Sequence, residues 1–359
     1  FRPPLCFFGK IRYTLKEGFW TRSSELCPQP VETRRKENTS MRHIFIINPK
    51  AGQGGSVQRI QALAEQLGQR HNIETLALLT HGPGHATTLA RSLAETGEEL
   101  RLYACGGDGT INEVANGIAG FANAAMTAIP TGSGNDFLKN FGPDAGKFKD
   151  PELLWDGPVT PLDLIDCNGQ RCALTLACNG IDARVAADVH KYSVLPLLQG
   201  KGAYIASLLV NFFFKGIGSH WTIYLDGVPQ TGDYSLVTVC NGRYYGGGFL
   251  PVREASMTDG VLNTLVVKQV TRRAFTRFVT PYSKGEYWRF PQYAQSCTAK
   301  EIRITSEKDI VTCLDGEIFL FKDVTFRLSD KKVNFFAPKG ASPDATFTPI
   351  DQQHRKASQ

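Results

Sequence analysis

The sequence lacks several features that would assign it to a class at once. No apolar run reaches the roughly 18 residues that a membrane-spanning helix needs; the longest candidate, residues 203–214, is too short and contains Asn211. None of the nine cysteines forms a C-x-x-C pair, which argues against a zinc ribbon or a disulfide framework and favours a reducing cytoplasm. Walker A and G-x-G-x-x-G motifs are also absent.

The positive charge of the chain is confined largely to its first forty residues. The 359 residues include 40 Lys and Arg against 34 Asp and Glu, a formal charge of +6. Residues 1–40 hold eight of these cations and four of the acids, so the rest of the chain is close to neutral. Because nucleic-acid binding needs a basic surface, we expect no nucleic-acid partner.

Residues 1–40 also differ in composition from the rest of the chain. They begin with Phe1, show no sustained apolar period and are rich in Pro, Arg and Ser, so we predict a disordered upstream extension. Met41 opens directly into a buried strand, and we expect the physiological start there. The alternative is a genuine basic extension or a transit segment, although four acids count against a transit peptide.

Residues 41–158 alternate between apolar strands and helical patterns. Strands are predicted over 43–47, 73–79, 100–105 and 126–129, with helices over 57–69, 86–94 and 110–118. Repeated β-α units with short connections predict an α/β domain, a parallel sheet with helices on both faces. Ligands of such sheets bind at the carboxyl ends of the strands.

Residues 159–338 have the texture of a second, β-rich domain. Short alternating strands are predicted over 221–225, 234–240, 261–267, 302–305, 311–314, 324–328 and 333–336, with helices near 201–214 and 272–278. This pattern predicts a β-sandwich-like domain. The polar residues 339–359 are predicted to form a flexible tail.

Three glycine-rich loops follow strands of the first domain and therefore meet at one sheet edge. They are N-P-K-A-G-Q-G-G at 48–55, C-G-G-D-G-T-I-N-E at 105–113 and I-P-T-G-S-G-N-D-F at 129–137. Glycines let backbone N–H groups approach an anion closely, and a following helix N-terminus adds its dipole. Three such loops together predict a phosphate-rich ligand, with Asp108 and Asp136 available to organise a divalent cation or a polar network.

Each loop also has a purely structural interpretation. The first is compatible with a tight turn. In the second, Thr110 and Glu113 fit a capping box that would start the following helix, whereas Asp108, flanked by glycines, is harder to explain in this way. In the third, Asn135 or Asp136 could cap the next helix.

Four motifs occur in the order typical of one family: N-P-x-x-G at 48–52, G-G-D-G-T-x-N-E at 106–113, P-x-G-x-x-N-D-F at 130–137 and L-D-G-E at 314–317. With them the chain resembles the diacylglycerol kinase catalytic-domain family, in particular its soluble bacterial lipid kinases, which are related to diacylglycerol, sphingosine and ceramide kinases. The resemblance covers roughly residues 41–338. The motifs are specific for the family and say little about the lipid.

The resemblance implies an ATP site in the cleft between the two domains. Residues that match nucleotide-contacting positions are Asn48, Pro49, Lys50, Ala51, Gly52, Thr80, Gly106, Gly107, Asp108, Gly109, Thr110, Ile111, Asn112 and Ser133. Asp136 and Lys201 complete the expected cofactor-binding set. The sequence departs from its relatives at two positions. Some relatives carry a lysine at the position of Gln53, so Lys50 or Lys201 would supply the positive charge here. Bacterial relatives usually have threonine at the position of Ser133.

The resemblance also implies Mg²⁺. Asp108, Asp136, Asp163 and Asp259 match the family's aspartate–water–magnesium network. Segment 256–261 resembles a magnesium loop with the Asp259 carboxylate and the Ser256 and Val261 carbonyls as ligands. From the residues alone, Asp259 and Gly260 form an ordinary turn before a strand.

Glu317 matches the family's proton acceptor from the lipid hydroxyl, with Asp315 and Asp108 as the other expected catalytic residues. Asp315-Gly316 is also a good hairpin turn, so a structural interpretation is open here. Glycine-rich backbone, Mg²⁺ and a carboxylate base would suffice for phosphoryl transfer, which is mainly positioning and charge neutralisation.

A lipid substrate requires contact with a membrane surface, and residues 271–293 are the candidate segment. They contain five cations and one acid, Glu286, interleaved with seven aromatic residues. Such a composition favours peripheral binding to an anionic leaflet. The alternative is a helix with its aromatic residues packed inward and its cations solvated.

These observations predict a cytoplasmic, transiently membrane-associated, ATP- and Mg²⁺-dependent kinase for the hydroxyl of diacylglycerol or a related lipid. Alternatives are a kinase of another lipid or soluble alcohol (phosphatidylglycerol, a sphingoid base or NAD) and a non-catalytic nucleotide- or lipid-binding module. A homodimer is left open.

Overall fold

The computed structural model describes residues 13–16, 19–22, 41–52, 55–132, 134–193 and 216–344. The chain divides into two compact units, residues 1–39 and 40–359. Within the first unit, where we predicted no ordered structure, β1 (Tyr13–Lys16) and β2 (Phe19–Arg22) form an antiparallel hairpin. Its aromatic and β-branched residues have high strand propensity, which explains the difference. The predicted helix near 201–214 lies outside the described residues.

Short connections join the elements of the first domain, in the order that the sequence predicts. They are β3 (Arg42–Ile47), α1 (Ser56–His71), β4 (Thr75–Leu79), α2 (His85–Ala94), β5 (Leu100–Gly106), α3 (Asp108–Ile118), β6 (Ala124–Pro130) and α4 (Asp136–Lys139). Two 3₁₀ helices follow, Gly142–Lys149 and Pro151–Leu154.

The remainder of the second unit, after these 3₁₀ helices, consists mainly of β-strands. They are β7 (Val159–Leu162), β8 (Ile165–Cys167), β9 (Arg171–Ala173), β10 (Leu176–Gly180), β11 (Ser219–Leu225), β12 (Val228–Cys240), β13 (Leu262–Lys268), β14 (Ala294–Ala299), β15 (Glu301–Leu314), β16 (Glu317–Leu328) and β17 (Val333–Phe336). Helix α5 (Ile181–Ser193) follows β10, α6 (Arg272–Ser283) follows β13, and a 3₁₀ helix spans Tyr287–Arg289.

The sheet of the first domain has six strands in the order β4-β3-β5-β6-β17-β7. All pair in parallel except β7, which is antiparallel to β17. The strand order reverses after β4, so right-handed crossovers place α1 on one face and α2 with α3 on the other. Strands β3, β5 and β6 are almost wholly buried, as a sheet covered on both faces requires.

The domain boundary differs from the one the sequence predicts. Two strands from the range that we assigned to the second domain complete the first sheet: β17, predicted as a strand, and β7, which was not predicted. Strand β17 lies between β6 and β7. Phe335 on β17 packs among Phe137, Phe141 and Phe148. The apolar alternation of a strand shows that one face is buried but not against which sheet, so this pairing is invisible in the sequence.

The β-rich domain is a nine-stranded antiparallel sheet in the order β14-β13-β12-β10-β15-β16-β8-β9, and β11 pairs with both β12 and β15. Because β11 pairs with both β12 and β15, the sheet curves around an apolar core that includes Ile223, Val237 and Ile304. A second apolar cluster lies under α5 and α6. The predicted fold class, an α/β domain followed by a β-rich domain, is confirmed.

Candidate active site

The three glycine-rich loops and the turn between β15 and β16 open onto one cavity of about 640 Å³. Most of the predicted site residues line it: Asn48, Pro49, Lys50, Ala51, Thr80, Gly107, Asp108, Gly109, Thr110, Ile111, Asn112, Asp136, Asp315 and Glu317. Gly52, Gly106, Asp163, Ser256, Asp259 and Val261 do not line it. Ser133 and Lys201 lie outside the described residues.

Asn48 joins the first loop to the second. Its Nδ2 donates to Thr110 Oγ1 at 3.1 Å, and its Oδ1 accepts from the backbone N–H of Lys50 at 3.0 Å. Gly52 has a φ of 86°, and a Cβ there would lie 2.9 Å from the carbonyl oxygen of Thr131 in the third loop. The first loop is therefore fixed against both of the others.

Glycine is required where the second and third loops touch. A Cβ on Gly132 would lie 2.6 Å from Cα of Gly107, and a Cβ on Gly106 would lie 2.2 Å from Thr110 Oγ1. Real Cβ atoms do not approach so closely. The glycines bring two backbone segments into direct contact beside the N-terminus of α3, where unpaired N–H groups and the helix dipole favour an anion.

Glu113 does not form the capping box that the spacing suggests. Helix α3 begins at Asp108, and Glu113 instead accepts hydrogen bonds from the N–H groups of Gly84 at 2.9 Å and Ala86 at 3.0 Å. It therefore caps α2, the neighbouring helix on the same face of the sheet. A T-x-x-E spacing predicts that the glutamate caps its own helix. Here the Glu113 carboxylate instead accepts from the start of α2, nearly thirty residues earlier in the chain.

Asp108 has a structural contact as well as a place in the cavity. Its Oδ1 accepts from the N–H of Phe137 at 3.0 Å, so Asp108 caps α4, the role that the sequence offered to Asn135 or Asp136. Its Oδ2 lies near Gly134, where a Cβ would be 3.2 Å away. Burial raises the pKa of Asp108, opposed by the hydrogen bonds from the backbone.

Asp136 is held from two sides. Lys139, one turn further along, donates to Oδ1, and the N–H of Gly247 donates to Oδ2 at 2.7 Å. Gly247 belongs to the loop after β12, so this contact links the third glycine-rich loop to the β-rich domain across the cavity.

The predicted hairpin turn at Asp315-Gly316 is present, with φ values of 46° and 96° and Leu314 paired with Glu317. The Asp315 carboxylate accepts from the N–H groups of Leu174, Thr175 and Leu176 and from Asn112 Nδ2 at 2.7 Å. Burial raises the pKa of Asp315 to about 6, and these donors oppose the rise. Asp315 thus anchors the turn to both domains and is already engaged as an acceptor.

Glu317 is the carboxylate of this turn that faces the cavity. Arg171 Nη2 lies 2.6 Å from its Oε2, and its side chain remains 32% exposed. Burial raises the pKa of Glu317, Arg171 lowers it, and the nearby charge of Glu113 raises it. An accessible carboxylate with a fixed orientation has the properties that a general base needs.

The second half of the cavity was not identified from the sequence. It is lined by Leu174, Leu176, Asp182, Tyr245 and Cys313 among others. Asp182 Oδ2 accepts from the hydroxyls of Tyr245 at 2.5 Å and Tyr282 at 2.6 Å, and burial raises the pKa of this carboxyl. A usable signal was an acid two residues after a buried strand that ends in glycine, a pattern similar to the one at Asp108.

The four aspartates of the expected magnesium network occur as two pairs. Asp108 and Asp136 line the cavity. Asp163 instead accepts from the N–H of Gly260 at 2.7 Å and pairs with Lys332 at 2.8 Å, while Asp259 Oδ1 accepts from the N–H of Val261 at 3.1 Å. The hydroxyl of Ser256 donates to Asp344. Within the described ranges, no three His, Cys, Asp or Glu side chains are grouped as metal ligands.

In residues 271–293 the central aromatic side chains pack inward, as in the alternative to membrane binding that the sequence left open. Phe275, Phe278, Tyr282 and Tyr287 are buried in the core under α6. Arg273, Arg277, Lys284 and Arg289 are exposed. In the part of the chain that the structure describes, no helix combines the length and apolarity needed to cross a bilayer.

Two sequence-family models match consecutive parts of the chain. The one described as diacylglycerol kinase catalytic domain matches residues 42–167, and the one described as YegS C-terminal NAD kinase beta sandwich-like domain matches residues 175–335. Together they cover most of the α/β domain and the β-rich domain, and the second match ends within β17.

Relatives and solved structures agree with these matches. The chain is 27% identical to a diacylglycerol kinase of Bacillus subtilis (strain 168) over 282 residues, 76% of this chain and 88% of the relative. It is 25% identical to a Staphylococcus carnosus (strain TM300) protein named "Putative lipid kinase" over 298 residues, 81% of this chain and 95% of the relative.

A crystal structure of a diacylglycerol kinase from Bacillus anthracis str. Sterne has the same fold, with a TM-score of 0.61 at 21% identity over 84% of this chain and 98% of that one. Fold, motif order and family matches converge: residues 42–167 carry a diacylglycerol kinase catalytic domain, residues 175–335 carry the YegS-type C-terminal domain, and the chain is a lipid kinase.

Proposed function

We propose that this lipid kinase transfers the γ-phosphate of ATP to a hydroxyl of diacylglycerol or a related lipid. The observation that carries the proposal is that Asp108 in the glycine-rich loops and Glu317 from the β-rich domain line the same cavity. Its volume, about 640 Å³, lies in the range typical of small-molecule sites.

The nucleotide would bind against the three loops. The glycines between Gly106 and Gly132 expose backbone N–H groups beside the start of α3, which suits the phosphates of ATP. Lys50 in the first loop is exposed and lines the cavity, so it supplies a positive charge near them. This donor set recognises phosphate charge rather than a particular base.

The acceptor lipid would bind on the other side, where Leu174, Leu176 and Cys313 give the cavity apolar walls. Glu317 would accept the proton of the lipid hydroxyl. The hydroxyl oxygen then forms a bond to the γ-phosphorus, and the bond from that phosphorus to the bridging oxygen breaks, leaving ADP.

Magnesium would be held by the Asp259 carboxylate with the carbonyls of Ser256 and Val261. Oxygen donors with a single carboxylate suit Mg²⁺, which keeps several of its waters. Bound Mg²⁺ would neutralise carboxylate charge, and Asp163, hydrogen-bonded to Gly260 in the same loop, would hold that loop in place.

A lipid substrate would be met at a membrane surface, so the proposal includes a cytoplasmic enzyme that associates transiently with that surface. The exposed cations of residues 271–293 support a peripheral contact with anionic lipid, although the buried aromatic residues of the segment would take no part in it.

Labelled phosphate transfer from ATP in mixed micelles tests the proposal. Diacylglycerol, phosphatidylglycerol and a sphingoid base are offered as acceptors, with NAD as the soluble one. We expect label in a lipid, and an Asp108→Ala variant with activity lower by on the order of 100-fold because the loops lose their alignment. Asp309→Ala, an exposed acid on β15, is the matched control. Label in NAD alone, or full activity of Asp108→Ala, would overturn the assignment.

A further inference from the structure

The cavity has an excess of negative charge before any nucleotide binds. Among the described residues that line it, one lysine, Lys50, faces six carboxylates, those of Asp108, Glu113, Asp136, Asp182, Asp315 and Glu317. The Asp315 carboxylate is stabilised by hydrogen bonds from backbone N–H groups, and Asp136 is paired with Lys139. Glu317, the group that must accept a proton, needs another source of positive charge if it is to stay ionised near Glu113.

Arg171 on β9 is that source. Its Nη2 lies 2.6 Å from Glu317 Oε2, and no other acceptor in the described part of the chain is closer to it than Asn112 Oδ1 at 3.5 Å. The guanidinium also lies over the ring of Phe319, 5.5 Å from its centroid. This cation–π contact and the charged hydrogen bond together fix one orientation of the side chain.

The backbone around Arg171 is fixed by the α/β domain. The next residue, Cys172, donates its N–H to Asn116 Oδ1 at 2.9 Å, and its carbonyl accepts from Asn116 Nδ2 at 2.8 Å. Both contacts come from α3, the helix that starts at Asp108. The position of Arg171, and through it that of Glu317, is therefore set by the element that bears the phosphate-binding loop.

We propose that Arg171 is a positioning residue for phosphoryl transfer, which aims the Glu317 carboxylate into the cavity and keeps it ionised at neutral pH. The proposal rests on Glu317 being the base. The groups that face Glu317 are Arg171 from β9 and Glu113 from α3, while the carboxylate of Asp315 in the adjoining turn points to the backbone N–H groups of 174–176.

The consequence is a defined pH dependence. Burial and Glu113 raise the pKa of Glu317, and Arg171 lowers it. Without the arginine charge the pKa rises further, so the base is protonated up to a higher pH. The acidic limb of kcat/KM for the lipid then moves to higher pH, by about one to two pH units for a charge partner at contact distance.

The experiment compares pH profiles of kcat/KM for the lipid in Arg171→Gln, Arg171→Lys and wild type. We expect Arg171→Gln to lose activity relative to wild type progressively as the pH falls through the acidic limb, and to recover to within about threefold of wild type at pH 9. Arg171→Lys keeps the positive charge, so the acidic limb of its kcat/KM profile should lie at the same pH as that of wild type. Arg303→Gln is the matched control, since Arg303 on β15 pairs with Asp323 on β16 away from the cavity.

Two outcomes separate the proposal from its premise. If Glu317→Gln retains wild-type activity, the base assignment fails. If Glu317→Gln is inactive but Arg171→Gln keeps the wild-type limb, or loses activity equally at every pH, the inference fails and Arg171 is structural. Thermal unfolding of each variant shows whether it is folded. If Arg171→Gln is misfolded, Arg171→Lys is the deciding variant: an acidic limb of kcat/KM that lies at a different pH from that of wild type, although the positive charge is retained, overturns the proposal.

Discussion

Single residues in this site show how far a motif determines a role. Asp108 was expected to be functional because glycines surround it, and it both lines the cavity and caps α4. Asp315 was expected to support catalysis, and its oxygens are committed to backbone donors and Asn112. A motif identifies which carboxylates are important, but only the contacts show whether a carboxylate is available to a substrate.

Asp315 should make stability depend on pH. Its pKa, about 6, is above that of a carboxyl in an unfolded chain. Such a group stabilises the fold fully below the unfolded pKa, near 4, and the contribution is lost as the pH rises through about 6. We expect the free energy of unfolding of wild type, relative to Asp315→Asn, to fall by on the order of 2 kcal/mol from pH 4 to pH 6.5.

Denaturant unfolding of both proteins at several pH values measures this contribution. The substitution also changes hydrogen bonds, which adds a constant offset, so only the pH dependence of the difference is informative. A difference that stays constant from pH 4 to pH 7 would contradict the raised pKa of Asp315.

At the scale of elements, local patterns were predictable and pairings between distant segments were not. Strands β3, β5 and β6 with their glycine-rich loops follow from short apolar runs and from the glycines that end them, all within a few residues. The β15–β16 hairpin follows from Asp315-Gly316 in the same way. Glu113 caps α2 because of how α2 and α3 pack against each other. The T-x-x-E motif, which reports only local sequence, therefore predicted capping of α3, the wrong helix.

The contact between the second and third loops gives a prediction at this scale. Gly132→Ala would place a Cβ 2.6 Å from Cα of Gly107, and separating the loops should cost about 1–3 kcal/mol of stability and most of the kinase activity. Gly146→Ala is the matched control, because a Cβ there meets nothing within 4 Å. Unfolding free energies and lipid phosphorylation are measured together.

Equal stability and equal activity of the two alanine variants would show that the loops do not need this close contact. Loss of activity with unchanged stability would instead mean that the contact is tolerated in the fold but displaces the phosphate-binding backbone.

For the whole molecule, the return of the chain to the first sheet is the feature that the sequence concealed. The boundary predicted at 158/159 would make two consecutive domains, whereas β17 inserts between β6 and β7. The domains are therefore connected twice along the chain. Composition and alternation locate strands, but neighbouring strands are chosen by long-range packing.

Phe335→Ala tests this arrangement. Phe335 is 1% exposed and packs on the aromatic cluster of the first domain, so its truncation should cost about 3–5 kcal/mol. Hydrogen exchange should accelerate in β5 and β6. Leu320→Ala on β16, where the side chain is 61% exposed, should change stability by less than about 0.5 kcal/mol.

Faster exchange confined to β15 and β16 in Phe335→Ala would mean that β17 belongs with the β-rich domain in solution, contrary to its pairing with β6 and β7.

We propose Glu317 as the base of a γ-phosphate transfer from ATP to a lipid hydroxyl, and one comparison of rates tests this role. The direct measurement is initial-rate transfer of labelled γ-phosphate by wild type and Glu317→Gln, with ATP affinity measured on the same samples. We predict a rate lower by about 100-fold or more with ATP affinity changed less than about threefold. A Glu317→Gln enzyme that phosphorylates the lipid within about threefold of the wild-type rate would contradict the account.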